Sequence, residues 1–230
     1  MNESFAARLR RGALLKGTML TLPCASAAEV LAGAGFDWLF VDAEHGPFDV
    51  GDIAAVLQAV GQRSACIVRV PALDGAAIKR TLDLGAAGII VPQVNTAAHA
   101  AEVVHHARYA PQGSRGVGLA RAHDYGRDFS GYLERANTDT AVIVQAEHIE
   151  AARNIEAIVA VAGIDAVLVG PYDLSASLGC TGQLDHRDVV AAIDRITEHC
   201  QAAGMPLGIF GMNAAAVMPL AGRGYTLLVA

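Results

Sequence analysis

The sequence has 230 residues, of which 53% are hydrophobic and 17% are charged. This composition excludes an intrinsically disordered chain, which needs low hydrophobicity and a high net charge. The net charge of −6 argues against a nucleic-acid-binding protein, because such proteins present a basic surface.

Several sequence features bear on the location of the protein. The longest stretch without a formal charge runs between Glu198 and Arg223, and it contains Gln201, Asn213, prolines and glycines. A helix that crosses a bilayer needs about 20 mainly apolar residues, so we expect no membrane-spanning segment. The amino terminus lacks the apolar core and cleavage site of a signal peptide. Four widely spaced cysteines without a CxxC pair favour free thiols, and together these features predict a cytoplasmic protein.

Short runs of aliphatic and β-branched residues recur along the chain and predict eight strands. Their nearly continuous apolar character is typical of strands that are covered on both faces, as in a parallel sheet. In chain order the predicted strands are 17–22, 38–42, 65–70, 88–92, 141–145, 166–170, 206–210 and 225–229.

Alanine-rich amphipathic segments lie between these strands and predict helices at 49–60, 74–84, 97–106, 149–161, 188–203 and 213–220. Eight strands alternating with helices favour a (β/α)8 TIM barrel over a doubly wound sheet. No linker rich in Gly, Ser or Pro divides the chain, so we predict one barrel domain over residues 1–230. The sequence ends directly after the eighth predicted strand, and the eighth helix is therefore expected to be absent from this chain.

Polar side chains gather at the carboxyl ends of the predicted strands. In a barrel the active site is built from these strand ends and from the loops that follow them. The polar residues at these positions are Asp42, Glu44, His45, Arg69, Gln93, Gln145, Glu147, Tyr172 and Asp173.

Glu147 and Asp173 follow neighbouring strands, and we expect their side chains to point toward one place. Two carboxylates are too few for an all-protein calcium site, but they suit Mg²⁺ or Mn²⁺, which keeps open positions for water and a chelating substrate. Alternatively, each carboxylate caps the helix that follows it, since acidic side chains are favoured at helix N-termini. Only the expected convergence of the two residues favours the metal.

Arg69 ends an otherwise apolar strand and needs an anionic partner if it is buried. That partner is either structural, with Asp42 as the candidate, or a carboxylate or developing oxyanion of the substrate. His45 lies on a loop at the same end of the barrel. It is either a solvated loop histidine or a general base beside carboxylates.

The chain contains two lysines, neither of which is expected to reach this site. Lys16 precedes the first predicted strand, and Lys79 lies within a predicted helix. A Schiff-base mechanism needs a lysine in the site, so we expect none. The segment 116–118 lacks the third glycine of a dinucleotide-binding fingerprint, so we also expect no nucleotide cofactor.

Several motifs together resemble those of the metal-dependent (class II) 2-oxo acid aldolases typified by 4-hydroxy-2-oxoheptanedioate aldolase, a family that includes 2-dehydro-3-deoxy sugar-acid aldolases. The resemblance covers essentially the whole chain, with the motifs in the same order. The motifs are VDAEHGP at 41–47, VRVP at 68–71, LDLGA at 82–86, RGVG at 115–118, QAE at 145–147 and GPYDLS at 170–175.

The resemblance implies roles for individual residues. Glu147 and Asp173 would bind a divalent cation (Mg²⁺, Mn²⁺ or Co²⁺), and His45 would act as acid and base, with Asp83 raising its basicity. Arg69 would stabilise the charge of an enolate. The remaining implied roles are donor binding by Gln145, Tyr172 and Asp173, an aldehyde pocket at Val117 and Phe210, orientation of a water on the metal by Glu44, and positioning of Arg69 by Asp42.

The implied activity is reversible aldol addition between a 2-oxo acid, usually pyruvate, and an aldehyde. The sequence departs from the family pattern at Ala146, His148 and Tyr172, which leaves hydroxypyruvate open as a donor. The resemblance also implies a homohexamer. Two alternatives remain: a metal-dependent acyl-CoA lyase of a related barrel family, and a non-catalytic barrel whose acidic mouth holds a cation.

Overall fold

The computed structural model describes residues 3–230, and its eight parallel strands form a closed barrel in which consecutive strands are neighbours and β8 pairs with β1. The predicted TIM barrel is therefore confirmed. The strands are β1 (Leu15–Leu20), β2 (Trp38–Asp42), β3 (Ala65–Arg69), β4 (Gly88–Val91), β5 (Ala141–Ala146), β6 (Ala166–Val169), β7 (Leu207–Phe210) and β8 (Tyr225–Val229).

Helices separate the strands and cover the outside of the barrel. They are α1 (Phe5–Arg10), α2 (Ala25–Gly33), α3 (Val50–Val60), α4 (Gly75–Asp83), α5 (Ala97–Ala107), α6 (Phe129–Asp139), α7 (Ile149–Arg153), α8 (Ile155–Val159), α9 (Pro171–Ser177), α10 (Arg187–Ala202) and α11 (Ala214–Val217). Two 3₁₀ helices, Arg121–Gly126 and Met218–Arg223, complete the described elements.

Three sequence predictions need correction. The predicted helix 149–161 is two short helices, because Asn154 leaves the helical conformation and donates a side-chain hydrogen bond to the carbonyl of Asn95. The predicted helix 213–220 continues as a 3₁₀ helix after Val217. Strand β1 begins at Leu15, so Lys16 lies within it rather than before it.

The amino-terminal end of the barrel is closed by aromatic packing. The ring of Trp38 stacks on that of Phe40 at 5.9 Å, and Phe5 of α1 packs against Trp38 at 6.1 Å. Gly17 is required in β1, because a Cβ atom there would lie 2.5 Å from the Trp38 indole. The aromatic cluster leaves the carboxyl end of the barrel as the place for a ligand.

Two sequence expectations concern membrane-spanning segments and the state of the cysteines. Within residues 3–230, no helix has both the length and the apolar character needed to cross a membrane. All four cysteines are free, and three of them are buried. Burial raises the pKa of the Cys66 and Cys200 thiols to about 12, so both are inert at neutral pH.

Candidate active site

A cavity of about 310 Å³ opens at the carboxyl end of the barrel. Seven of the residues predicted for the site line it: Asp42, His45, Arg69, Gln145, Tyr172, Asp173 and Phe210. The remaining wall is largely apolar, with Met19, Phe40, Leu168, Val169 and Met212 among the lining residues. A cavity of this size, with a few converging polar groups, is typical of a small-molecule site.

Arg69 and Asp42 form a buried pair at the floor of this cavity. The parallel register of β2 and β3 places them opposite each other. The Arg69 Nε and Nη2 atoms donate to the two Asp42 carboxylate oxygens at 2.9 and 2.8 Å. Burial alone would raise the pKa of Asp42, but the hydrogen bonds and charge of Arg69 outweigh it and lower that pKa. Asp42 is therefore ionised and orients the guanidinium.

Asp42 also shapes the loop that carries Glu44 and His45. The backbone N–H groups of these two residues donate to Asp42 Oδ1 at 3.2 and 3.3 Å. Gly46 closes the turn by donating its N–H to the Asp42 carbonyl at 3.1 Å. A Cβ atom at Gly46 would lie 2.3 Å from that carbonyl oxygen, so the tight turn requires glycine.

Glu44 contributes charge rather than a hydrogen bond to this cluster. Its Oε2 atom lies 3.1 Å from Arg69 Nε and 3.8 Å from His45 Nε2, and it is buried without a hydrogen bond in the described part of the chain. Burial raises the pKa of Glu44, and the nearby carboxylates of Asp42 and Asp173 act in the same direction. The His45 side chain is 66% exposed, so its ring is open to the cavity and to solvent.

Glu147 is the most deeply buried of the predicted metal ligands, at 2% exposure. Its Oε1 atom accepts the backbone N–H of Gln93 at 2.8 Å, and its Oε2 atom accepts a hydrogen bond from the Gln145 side chain. Burial raises the pKa of Glu147 to about 7, and the carboxylates of Glu44 and Asp173 add to the increase. No Lys, Arg or His side chain within residues 3–230 forms an ion pair with this carboxylate.

Gln145 separates the arginine from this carboxylate. Its Oε1 atom faces Arg69 Nη1 at 3.5 Å, while its Nε2 atom donates to Glu147. Chemistry fixes this orientation of the amide, because a guanidinium only donates and a carboxylate only accepts. Arg69 and Glu147 therefore act on each other through charge, with the Gln145 amide between them, rather than as a direct ion pair.

Gln93 is a strand-end residue for which the sequence predicts no role. It is a non-glycine residue with a positive φ of 56°, a conformation that is uncommon and clusters at functional sites. That conformation turns its N–H toward Glu147. No side-chain pattern signals this role, because only the backbone of Gln93 makes the contact.

Asp173 lies in the first turn of α9, after Pro171, where the helix dipole favours a negative charge. The N-cap is Gly170, with no side-chain cap bond, and the N-cap of α7 is His148. Neither Glu147 nor Asp173 is thus a helix cap. A Cβ atom at Gly170 would lie 2.8 Å from the Cβ of Glu147, so glycine lets β6 end close to that carboxylate.

The donor set fits a divalent cation held by two protein carboxylates. Within residues 3–230, no group of three or more His, Cys, Asp or Glu side chains is placed to hold a metal ion. Asp42, Glu44 and Glu147 all act on the charge of one arginine, Arg69, which already pairs with Asp42. The uncompensated charge and the oxygen ligands suit Mg²⁺ or Mn²⁺, which retains several other ligands.

A single chain does not bring Asp83 or Val117 to this cavity. Asp83 ends α4, which leads into the amino end of β4, and it pairs with Arg115 at 2.7 Å. His45 lies at the opposite end of the barrel, after β2. Val117 is 56% exposed on the loop before the 3₁₀ helix Arg121–Gly126 and does not line the cavity.

The two lysines also lie away from the cavity. Lys16 is exposed in β1 and its backbone N–H bonds to Asp37, while Lys79 is exposed on α4. The only basic side chains that line the cavity within residues 3–230 are those of Arg69 and His45.

Comparison with known proteins identifies the family. The family described as HpcH/HpaI aldolase/citrate lyase matches residues 18–228. The chain belongs to this family. The family resemblance inferred from the sequence motifs is thereby confirmed.

The relatives of this HpcH/HpaI family member are aldolases, that is, carbon–carbon lyases. The 4-hydroxy-2-oxovalerate aldolase of Rhodococcus jostii (strain RHA1) is 47% identical over 209 residues, which cover 90% of this chain and 81% of the relative. The hydroxypyruvate/pyruvate aldolase of Paraburkholderia phytofirmans is 42% identical over 218 residues, which cover 90% and 83%. A crystal structure of a family protein from Burkholderia cenocepacia J2315 superposes with a TM-score of 0.94 at 40% identity, covering 98% of this chain and 91% of that one.

Proposed function

We propose that this HpcH/HpaI family member is a divalent-metal-dependent aldolase that joins a 2-oxo acid, pyruvate or hydroxypyruvate, to an aldehyde and reverses that reaction. The names of its relatives support the reaction class. The observation that carries the metal requirement is the environment of Glu147, which is buried among other carboxylates and separated from Arg69 by Gln145. A bound cation would compensate the negative charge of Glu147 and so remove the free-energy cost of burying it among other carboxylates.

Glu147 and Asp173 would hold the divalent cation, which supplies a Lewis acid that eases removal of a proton next to the carbonyl of a 2-oxo acid. Mg²⁺, Mn²⁺ and Co²⁺ are the proposed candidates. Gln93 and Gln145 keep the Glu147 carboxylate in one orientation by donating hydrogen bonds to both of its oxygens. The site is thus preorganised before a ligand enters.

Arg69 is positioned to stabilise negative charge on the donor substrate. Asp42 occupies its Nε and Nη2 atoms, while its Nη1 atom faces the cavity next to Gln145. A guanidinium that is already held in one orientation stabilises a developing enolate charge without reorganisation. Arg69 therefore has both a structural partner and a chemical role.

His45 is the group proposed to move the proton at the aldehyde oxygen. Its ring lines the cavity, and Glu44 Oε2 lies 3.8 Å from its Nε2 atom. During addition, His45 would protonate the oxygen of the aldehyde as the new carbon–carbon bond forms, and it would take that proton back during cleavage. Asp83 could raise the basicity of His45 only from another copy of the chain, in a homohexamer such as the resemblance implies.

The alternative of an acyl-CoA lyase is less well supported. A nucleotide portion needs a basic surface for its phosphates, whereas Arg69 and His45 are the basic side chains at the cavity and Arg69 already pairs with Asp42. The second alternative, a barrel that holds a cation without catalysis, is less well supported because the relatives at 42–47% identity are aldolases.

Proton exchange tests the proposed function without an aldehyde. In D₂O with diamagnetic Mg²⁺, NMR of pyruvate should show loss of the methyl proton signal, and a chelator should stop it. Glu147→Gln should slow the exchange at least about 100-fold, as expected for loss of a preorganised charged group. Glu156→Gln, which changes an exposed glutamate on α8, is the matched control. Exchange that persists in the chelator would overturn the metal requirement, and no exchange with pyruvate or hydroxypyruvate would favour the non-catalytic barrel.

A further inference from the structure

A second cavity, of about 390 Å³, lies beside the candidate active site. It is bounded by α10, by β7 and by the segment between β7 and β8. Four residues line both cavities: Pro171, Tyr172, Phe210 and Met212. The two spaces are therefore neighbours that share one wall.

Two of the four side chains in the shared wall, those of Tyr172 and Met212, are exposed. The rings of Tyr172 and Phe210 are 6.4 Å apart and inclined by 57°. Tyr172 is 36% exposed and Met212 is 69% exposed. The Tyr172 hydroxyl makes no hydrogen bond with residues 3–230, so a rotation of this ring breaks none there, and exposed side chains change rotamer within nanoseconds.

The lining of the second cavity selects for an uncharged ligand. Its aliphatic residues include Leu184, Val190, Ile193, Ile209, Val217 and Leu220. Its two charged residues, Asp194 and Arg223, pair with each other at 2.6 Å and so compensate each other's charge. Such a lining stabilises a hydrocarbon chain by removing it from water.

We propose that the second cavity binds the apolar chain of the aldehyde acceptor while its carbonyl group lies in the first cavity. This inference rests on the proposed function. The donor carbon that has lost a proton forms the new bond to the aldehyde carbon, and the aldehyde oxygen gains a proton. Tyr172 and Phe210 stand where the chain of the acceptor passes from one cavity to the other.

The physical consequence is a dependence of rate on chain length. Each methylene group that is buried contributes a factor of about four to binding. The acceptor chain remains buried in the transition state. The value of kcat/KM should therefore rise from acetaldehyde through butanal to hexanal, by at least about tenfold overall. The rise should stop once the cavity is filled.

A matched pair of variants on α11 tests this assignment. Ala216 lines the second cavity and is exposed, so Ala216→Phe fills space without disturbing the core. Ala215 is its exposed neighbour and lines neither cavity. The ratio of kcat/KM for hexanal to that for acetaldehyde should fall at least about fivefold in A216F and stay at the wild-type value in A215F.

A second pair of variants, on α10, provides the same test if A216F does not fold. Val190 lines the cavity and is 40% exposed, whereas the exposed Ala191 does not line it. Val190→Phe should lower the same ratio, and Ala191→Phe should not.

The outcomes separate this inference from the proposed function. If wild-type protein exchanges pyruvate protons but shows no preference for longer aldehydes, the second cavity is not an acceptor site, although the aldolase assignment stands. A preference for succinic semialdehyde over butanal would overturn the apolar assignment and indicate that Arg223 binds a carboxylate. Without proton exchange of either pyruvate or hydroxypyruvate, both proposals fail.

Discussion

Arg69 and Asp42 face each other across β2 and β3 and share two hydrogen bonds, whereas Glu44 approaches the same guanidinium at 3.1 Å without one. The two carboxylates therefore stabilise Arg69 differently. Asp42 fixes the orientation of the guanidinium and compensates its positive charge, whereas Glu44 only compensates the charge. Because Glu44 is less constrained, its negative charge is available to His45 and to the cation that we propose.

Asp42→Asn should destabilise the fold more than Glu44→Gln. Removing one partner of a buried ion pair costs about 3–5 kcal/mol, because the other charge is left buried. We expect about 3 kcal/mol for Asp42→Asn, since Glu44 still faces Arg69, and less than about 1 kcal/mol for Glu44→Gln. Urea unfolding at pH 7 measures both. Equal losses in the two variants would show that the hydrogen bonds to Asp42 are not the stabilising contribution.

The raised pKa of Glu147 predicts a pH dependence of stability in protein freed of metal by a chelator. Burial first, and then Glu44 and Asp173, raise the pKa of this carboxyl from 4.5 to about 7. Between these values the folded chain retains a proton that the unfolded chain releases, so the free energy of unfolding falls as pH rises from about 4.5 to about 7. The expected contribution is about 3 kcal/mol at pH 8 relative to pH 4.5.

Urea unfolding at pH 5 and pH 8 checks this dependence. Glu147→Gln should remove most of the slope, while Glu156→Gln should retain it. Saturating Mn²⁺ should raise stability at pH 8, by about 2.7 kcal/mol at 100 times its Kd, because a ligand of the folded state stabilises it. A slope that is unchanged in Glu147→Gln would place the titrating group elsewhere.

A second buried charge cluster lies at the opposite, amino-terminal end of the barrel. We expect it to stabilise the fold without affecting activity. Asp165, before β6, accepts hydrogen bonds from Arg10 Nε at 2.6 Å, Arg108 Nη2 at 2.8 Å and the backbone N–H of Val142 at 2.7 Å. Asp165→Asn should lower the free energy of unfolding by about 3–5 kcal/mol, because it leaves Arg108 buried without its anionic partner.

The control for this cluster is Asp128→Asn, which removes a half-exposed partner of Arg135 and should cost less than about 1 kcal/mol. Thermal unfolding and pyruvate exchange, measured on the same samples at a temperature where both variants are folded, separate the two effects. Slower exchange in Asp165→Asn would show that the amino end of the barrel influences the site.

The strands were predictable because a barrel strand buries both faces, which leaves a continuous apolar run such as that of β2 or β5. Helices were harder to predict where packing against the barrel decides the structure. Helix α2 has few charged residues, and Ala136 is the buried residue of α6, so neither helix presents a wide apolar face next to a charged one. The break at Asn154 depends on a bond to Asn95, which is 59 residues away in sequence.

The placement of Arg69, Glu147 and Asp173 at one end of the barrel was predictable, because residues at the carboxyl ends of parallel strands meet there. Asp83 was assigned by motif, and a motif does not show which end of the barrel a residue occupies. The topology does, because α4 returns toward the amino end before β4 begins. Likewise, the position of Gln145 between the two charges depends on the distance between β3 and β5, which no spacing within the sequence reveals.

Gln93 provides a prediction about a backbone contact. Its φ of 56° directs its N–H to Glu147 Oε1 at 2.8 Å. This left-handed conformation costs a non-glycine residue roughly 1–2 kcal/mol. Gln93→Gly should therefore keep the N–H in place and unfold at a urea concentration equal to or higher than that of wild type. Gln93→Val, whose branched side chain disfavours a positive φ, should be less stable by at least about 1 kcal/mol.

The same two variants distinguish positioning of Glu147 from a purely structural effect. If the N–H of Gln93 orients this carboxylate, Gln93→Val should weaken Mn²⁺ binding, measured by titration calorimetry, by about tenfold or more, as is typical when the groups that orient a metal ligand are lost. Gln93→Gly should bind Mn²⁺ with wild-type affinity. Equal Mn²⁺ affinity in both variants would mean that the conformation of Gln93 affects stability alone, because the side chain of this exposed residue makes no contact with Glu147.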